Sequence, residues 1–145
     1  MKKISVFLIA ILTLAAMILT SCSAKTVTVR VINGDDVICE ETVTVGEDNP
    51  NSIQGVNFYG LDCLEAALTQ AGIEYFVNKE DADAFVVTNI GDIASDKTNQ
   101  FVYYVKEDAK SEFVNKSGLT AQHDEMVGGE ILEFRFESIE TETAK

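Results

Sequence analysis

Apolar and polar residues alternate along several segments of this chain, which is the pattern of β-strands that bury one face. The first such segment, TVTVRVI at residues 26–32, carries valine at three alternate positions. It is followed by the turn-forming sequence NGDD at residues 33–36 and by a second strand-like run, VICEETVTV, at residues 37–45. The pattern therefore predicts a β-hairpin.

One segment has the periodicity of an amphipathic helix. In LDCLEAALTQAG, Leu61, Leu64 and Leu68 recur at intervals of three and four residues, and Gly72 supplies a stop signal. We expect this helix to bury Leu64 and Leu68 against a sheet. Glu65, in the first turn, is expected to be exposed.

Strand-like patterns return after the helix, and no internal repeat or low-complexity linker interrupts them. The order of one hairpin, one helix and further strands predicts an α+β domain in which the helix packs on a mostly antiparallel sheet. A β-grasp is the best-known arrangement of that order. In the last strand, an aromatic and apolar face alternates with a charged one. The predicted strands are IEYFV (73–77), AFVVTNI (84–90), QFVYYVK (100–106) and EILEFRFES (130–138).

The amino-terminal segment has the layout of an export signal. Lys2 and Lys3 precede an uncharged, mostly apolar run at residues 4–20, and the small residue Ser21 precedes Cys22. The sequence LTSC at this point resembles the lipobox of bacterial lipoproteins, in which lipid is attached to the cysteine and the polypeptide is cleaved before it. An uncleaved membrane helix is the alternative, since a run of this length lies at the lower limit of a bilayer span. The small residues and the cysteine favour the lipoprotein interpretation.

These signals divide the sequence into four parts. Residues 1–21 form the predicted signal peptide, 22–25 the lipidated N-terminus and a short tether, 26–138 one folded domain, and 139–145 a flexible tail. Lipid on Cys22 would hold the domain on the extracytoplasmic face of the cell membrane.

The formal net charge of −13 limits the partners of this protein. A surface this acidic repels the phosphates of nucleic acids and anionic lipid headgroups. We therefore expect no nucleic-acid partner, and we expect contact with the membrane through the lipid on Cys22 rather than through a basic patch.

Two cysteines, Cys39 and Cys63, remain after Cys22 is assigned to lipid. They could form a disulfide, because disulfides persist outside the cytoplasm. However, apolar residues flank each of them, and a buried free cysteine packs as a small hydrophobic residue. This pattern favours two free thiols in the core.

The quoted segments resemble the C-terminal, β-grasp-like domain of transcobalamin and intrinsic factor, together with bacterial surface domains similar to it. The resemblance covers nearly all of residues 26–138 and rests on TVTVRVI, LDCLEAALTQAG, FVVTNIGDI, QFVYYVK and GGEILEFRFES. It implies a β-grasp fold that binds a small ligand such as a corrinoid, or a surface partner. The sequence departs from the family at three places. Phe101 stands where the family has tryptophan, Lys106 where it has asparagine, and Gly129-Glu130 where it has glycine and aspartate.

Residues that could serve in catalysis or metal binding are sparse. His123 is the only histidine, so the sequence offers neither a histidine cluster for zinc nor a Ser-His-Asp set. The acidic pairs, such as Asp35-Asp36 and Glu80-Asp81, lack the spacing of a calcium-binding loop. We therefore expect a non-enzymatic domain that holds no metal and no cofactor.

Aromatic residues are the strongest candidates for ligand contacts. Phe58 and Tyr59 follow Asn57 in a predicted loop. Tyr103 and Tyr104 are neighbours in a predicted strand, so one of the two rings faces outward. Exposed aromatic rings near amide groups suit a flat ligand or a sugar ring. The alternative is structural: Phe58 covers the helix end, and both tyrosines cover the sheet edges.

The sequence thus predicts a lipid-anchored, extracytoplasmic binding domain. Its expected ligand is a corrinoid-like or other small molecule, held by the loops at residues 46–60 and 106–118. A structural or protein-interaction module of the cell envelope, with no small-molecule ligand, is the alternative. Exposed strand edges would favour that alternative, whereas an aromatic-lined pocket would favour a ligand.

Overall fold

The computed structural model describes residues 25–45, 58–81, 84–116 and 121–139. Several predicted features therefore lie outside the described residues. They are the signal peptide with Cys22, Asn57 with most of the loop at 46–60, the end of the loop at 106–118, and the tail beyond residue 139.

The described residues form one helix and eight strands, so the predicted α+β class is confirmed. The predicted helix and hairpin, and the four strands predicted after them, are all present within a few residues of their expected limits. Two strands of two residues each, at Ile93–Ala94 and Val114–Asn115, were not predicted. In sequence order the elements are β1 (Thr26–Asn33), β2 (Asp36–Thr44), α1 (Gly60–Ala71), β3 (Tyr75–Asn78), β4 (Val86–Ile90), β5 (Ile93–Ala94), β6 (Asn99–Lys106), β7 (Val114–Asn115) and β8 (Ile131–Ser138).

Five strands form a mixed sheet in the order β2-β1-β8-β6-β7. β1 pairs antiparallel with β2 and parallel with β8, while β8 and β7 each pair antiparallel with β6. Parallel neighbours require a long crossover connection. Here the helix and all the strands from β2 to β7 lie between β1 and β8 in the sequence. Every neighbouring pair in this sheet other than β1 and β8 is antiparallel.

The three remaining strands form a small antiparallel sheet in the order β3-β4-β5. Val77 and Ile90 in this sheet are buried, whereas Phe76 is 61% exposed. A turn joins β5 to β6, in which the Asp96 N–H donates to the Asn99 C=O. This connection is short, and β4 lies next to β6. The small sheet is therefore adjacent to the large sheet at β6.

Helix α1 packs on the inner face of the large sheet over β1 and β2. Leu64 and Leu68 have no exposed surface, which confirms their predicted orientation. The helix ends at Gly72, whose φ of 69° lies in the left-handed region that favours glycine. There the Gly72 N–H donates to the Thr69 C=O and the Ile73 N–H to the Leu68 C=O, which satisfies two terminal carbonyls.

Glu65 is buried, and the expectation that it is exposed is wrong. Only 4% of its surface is exposed, and its Oε1 lies 2.9 Å from Nζ of Lys79. Burial raises the pKa of Glu65, and the interaction with Lys79 opposes that shift. Helical periodicity could not show this, because Lys79, which covers Glu65, lies outside the helix, directly after β3.

The outer face of the large sheet is charged, as the pattern of β8 predicts, but its central carboxylate is also buried. Glu133 is 2% exposed because Arg30 and Arg135 cover it. Arg30 donates to Glu133 Oε1 over 2.5 Å, and Arg135 Nε donates to Oε2 over 2.7 Å. Glu40 binds the other side of the Arg30 guanidinium. These ion pairs connect β2, β1 and β8 across the sheet.

Cys39 and Cys63 are both buried and form no disulfide with each other. Burial raises the pKa of both thiols, so that they stay protonated. The structure therefore agrees with two free thiols in the core.

Candidate functional site

The first pair of candidate aromatic residues lies at the start of α1. Phe58 is 7% exposed and belongs to the hydrophobic core, which favours the structural alternative in which it covers the helix end. The backbone carbonyl of Phe58 accepts the N–H of Met126, and Tyr59 forms a β-bridge with Glu125. This pairing holds the start of the helix beneath the segment at residues 121–126. Tyr59 is half-buried, and its contact with a ligand stays a prediction.

Tyr103 faces inward, toward the helix. Its ring packs on Phe134 with a centroid separation of 5.0 Å, and its hydroxyl donates to Asp124 Oδ2 over 3.1 Å. Burial, followed by the charge of Asp124, raises the pKa of Tyr103 above its ordinary value, so the hydroxyl remains a donor. A Cβ at Gly60 would lie 2.5 Å from this hydroxyl oxygen, so the close approach requires glycine there.

Tyr104 faces outward, as strand alternation requires of one residue in the pair. The guanidinium carbon of Arg135 lies 4.1 Å from the centroid of the Tyr104 ring, and the Tyr104 hydroxyl donates to Glu137 over 2.9 Å. Arg135 therefore already covers one face of the ring. A flat ligand could stack on Tyr104 only by using the opposite face or by displacing the arginine.

A pocket with an aromatic lining lies between the two sheets, next to these tyrosines. We call it the notch. It has a volume of about 250 Å³ and is partly open to solvent. One wall is β4 with the residue before it, and the other is the first half of β6, while α1, β8 and the segment at residues 121–122 close the base. The lining residues are Leu61, Phe85, Val86, Val87, Gln100, Phe101, Val102, Tyr103, Lys116, Ala121, Gln122, Phe134 and Ile139.

The notch exists because cover over the large sheet is uneven. Helix α1 covers the inner face at β1 and β2 and reaches β6 at its start, where Gly60 lies against the Tyr103 hydroxyl. Beyond that point, β4 and residues 121–122 border the pocket beside β6. Phe101 and Phe134 of the large sheet line this pocket. Phe101 packs against Phe136, with ring centroids 5.1 Å apart, and remains half-exposed.

Few polar groups border the notch, and each is at its edge or already engaged. The Gln122 side-chain oxygen accepts the N–H of Phe85 over 2.5 Å, which fixes that wall. Lys79 reinforces it, since its Nζ lies 5.9 Å from the centroid of the Phe85 ring while it pairs with Glu65. Lys116 supplies a positive charge at one end. The arrangement suits a compact apolar group with polar atoms outside it.

The size of the notch limits what it can hold. Small-molecule sites commonly have volumes of about 300–1,000 Å³, so about 250 Å³ admits an apolar side group more readily than a whole planar cofactor. In the described part of the protein, no three His, Cys, Asp or Glu side chains are placed to hold a metal ion together.

Of the residues that line the notch, sequence reasoning named Tyr103 and, within the predicted ligand loop at residues 106–118, included Lys116. It assigned the others to no site. Phe101 could have been found, because it lies two residues before Tyr103 and so shares its face. Phe134 is likewise on the apolar face of its strand. The contributions of Phe85 and Gln122 could not have been found, because no local pattern shows which loop packs beside which strand.

No protein-family model and no curated protein matches the sequence. Within the described residues, no helix has both the length and the apolar character needed to cross a bilayer. The family resemblance of residues 26–138 therefore stays a prediction, and the notch is the structural feature on which a functional proposal can rest.

Proposed function

We propose that this protein is a lipid-anchored binding domain of the cell envelope, non-enzymatic, which holds a compact apolar part of its ligand in the notch. The anchor rests on the LTSC sequence and Cys22. The observation that carries the binding function is an aromatic-lined pocket of about 250 Å³, open to solvent and formed between two sheets. An open apolar surface with few polar groups is a feature of recognition sites.

The strand order supports the finer assignment to a β-grasp. The parallel pair of β1 and β8 has an antiparallel neighbour on each side, β2 and β6, and the helix follows the hairpin of β1 and β2. This is the arrangement that the resemblance to the transcobalamin and intrinsic factor domain implies. A corrinoid-like ligand is larger than the notch and would place only one apolar substituent in it.

Phe101→Ala provides the test of binding at the notch. The full-length protein, reconstituted in lipid nanodiscs, is screened against corrinoids, haem, glycans and short peptides. Because Phe101 is a half-exposed wall of the notch, its removal should weaken binding of a genuine ligand by about 1–3 kcal/mol. The matched control is Phe76→Ala, which removes an exposed phenylalanine from the small sheet, outside the notch lining.

Equal affinity of both variants and the parent for every bound compound would contradict binding at the notch. Absence of any bound compound would also contradict the proposal, and would favour a structural role for the domain.

A further inference from the structure

We propose that the buried ion pair of Glu65 and Lys79 holds the Phe85 wall of the notch in its binding position, so that loss of the Glu65 charge in acid weakens binding there. This inference rests on the proposed binding at the notch and states how that binding responds to pH. Glu65 and Lys79 are positioning residues, since neither of them lines the notch.

The ion pair joins the helix to the chain that leaves the small sheet. Glu65 belongs to α1 and is 4% exposed, while Lys79 directly follows β3. Glu65 Oε1 lies 2.9 Å from Lys79 Nζ, and most of the Lys79 side chain is covered as well. Separation of the pair would leave a carboxylate buried without its cation, which is strongly unfavourable. The ion pair therefore fixes the position of the Lys79 ammonium beside α1.

The Lys79 ammonium also contacts the ring of Phe85. Its Nζ lies 5.9 Å from the ring centroid, within the range of a cation–π interaction. The backbone of Phe85 is held separately, because its N–H donates to the side-chain oxygen of Gln122, which is itself only 4% exposed. Loss of the ammonium would leave that backbone in place but allow the ring to take other rotamers. The ion pair therefore controls the shape of the notch wall rather than the fold around it.

The charged groups around Glu65 determine how it responds to pH. Burial raises its pKa, the interaction with Lys79 opposes the rise, and the charge of Asp62, one turn earlier in α1, adds to it. Strands β1 and β2 pack on α1, and of their described charged residues only Glu41 bonds to the helix, where it accepts from Gln70 Nε2 over 2.7 Å. In the described part of the chain, Lys79 is therefore the cation that keeps Glu65 ionised.

The direction of the response follows from the sign of the pKa shift. At neutral pH, Glu65 is ionised and the ion pair is intact. As the pH falls through the raised pKa of Glu65, the carboxylate binds a proton, and the charge attraction that holds Lys79 is lost. The ammonium then turns to solvent, and its contact with Phe85 is lost. Binding at the notch should therefore weaken in acid.

The probe is N-acetyltryptophanamide, which is uncharged and carries one compact ring system. It is titrated by NMR into the full-length protein in nanodiscs at about pH 7.5 and about pH 5, with the ring of Phe85 isotopically labelled. Its dissociation constant should rise about two- to fivefold in acid, which corresponds to the loss of one cation–π contact. The Phe85 ring signals should shift over the same interval. Constant methyl signals of Leu132, which is fully buried, verify that the core stays folded.

Substitutions of the two partners separate this response from other effects of pH. Glu65→Gln is neutral and of similar shape, so it should bind as weakly at about pH 7.5 as the parent does at about pH 5, with no dependence on pH. Lys79→Met should have the same effect. Lys79→Arg keeps a cation that stacks on aromatic rings and should retain the pH dependence. Lys97→Met removes an exposed lysine outside the notch lining and should behave as the parent does.

His123→Gln is the control for a second titratable side chain. The Nε2 of His123 lies 3.3 Å from Nε2 of Gln122, which borders the notch. Histidine side chains commonly bind a proton between about pH 5 and pH 8. The pH dependence of binding should persist in His123→Gln, because the inference assigns it to Glu65.

Four results would overturn this inference: an affinity of the parent that does not change with pH, a pH dependence that persists in Glu65→Gln, one that disappears in His123→Gln, or no binding of the probe at about 10 mM. The proposed function would still stand if a compound of the screen bound with a loss on Phe101→Ala and none on Phe76→Ala. It would fail together with this inference if nothing bound in that manner.

Discussion

Replacement of Tyr103 and Tyr104 by alanine, one at a time, should have very different effects on stability. The two residues are adjacent in β6 but face opposite sides of the sheet. Tyr103 is 6% exposed, packs on Phe134 and donates to Asp124. Tyr104 lies on the outer face, where it contacts Arg135.

The magnitudes follow from what each ring contacts. Truncation of a buried aromatic residue to alanine costs about 3–5 kcal/mol, because a cavity remains. The lost hydrogen bond to Asp124 adds about 0.5–1.5 kcal/mol. At Tyr104, the main losses are one cation–π contact, about 0.5–1 kcal/mol at an exposed site, and a partly exposed hydrogen bond. Because domains are stable by only about 5–15 kcal/mol, Tyr103→Ala should remove a large share of the total.

Urea denaturation of the polypeptide from Ser23 onward, followed by circular dichroism, measures these differences. Tyr103→Phe is the control, since it keeps the ring and should cost only about 1 kcal/mol for the hydroxyl. A free energy of unfolding for Tyr103→Ala within about 1 kcal/mol of the parent would refute the assignment of Tyr103 to the core. A larger loss for Tyr104→Ala than for Tyr103→Ala would reverse the assigned faces of β6.

Three further changes have defined outcomes. Leu68→Ala should cost about 2–5 kcal/mol in denaturant unfolding, since Leu68 is fully buried, and an unchanged midpoint would remove α1 from the core. Lys79→Met should destabilise the domain at pH 7 by leaving the Glu65 carboxylate buried without its cation. Since burial raises the pKa of Glu65, this loss should shrink as the pH falls and Glu65 binds a proton, whereas a loss independent of pH would refute the coupling. Cys22→Ala should abolish fatty-acid labelling and membrane retention after signal removal, and a labelled, sedimenting variant would contradict the lipoprotein assignment.

The strands and the helix could be predicted because their cause is local. The alternating valines of β1 place one face of that strand in the core, and the spacing of Leu64 and Leu68 does the same for α1. Pairing between distant strands has no such local signal. The parallel neighbours β1 and β8 lie at opposite ends of the domain sequence, and no local pattern shows that they meet.

Burial of charged residues was missed for a related reason. Glu65 and Glu133 occupy positions that the periodicity assigns to solvent, yet Lys79, Arg30 and Arg135 cover them. Local spacing does not connect Lys79 with Glu65 or Arg30 with Glu133. Arg135 is the exception, since it lies two residues from Glu133. The notch was missed in the same way, since its lining residues come from stretches that lie far apart in the sequence.

Methyl NMR of the full-length protein in nanodiscs tests binding at the notch most directly. A saturating amount of the tightest ligand from the screen is added, and methyl shifts are compared with those of the free protein. Leu61 and Val87 line the notch and should show the largest changes. Val37 and Val127 are exposed elsewhere and should not move. Unchanged methyl signals at Leu61 and Val87, with changes at Val37 or Val127 instead, would contradict the account.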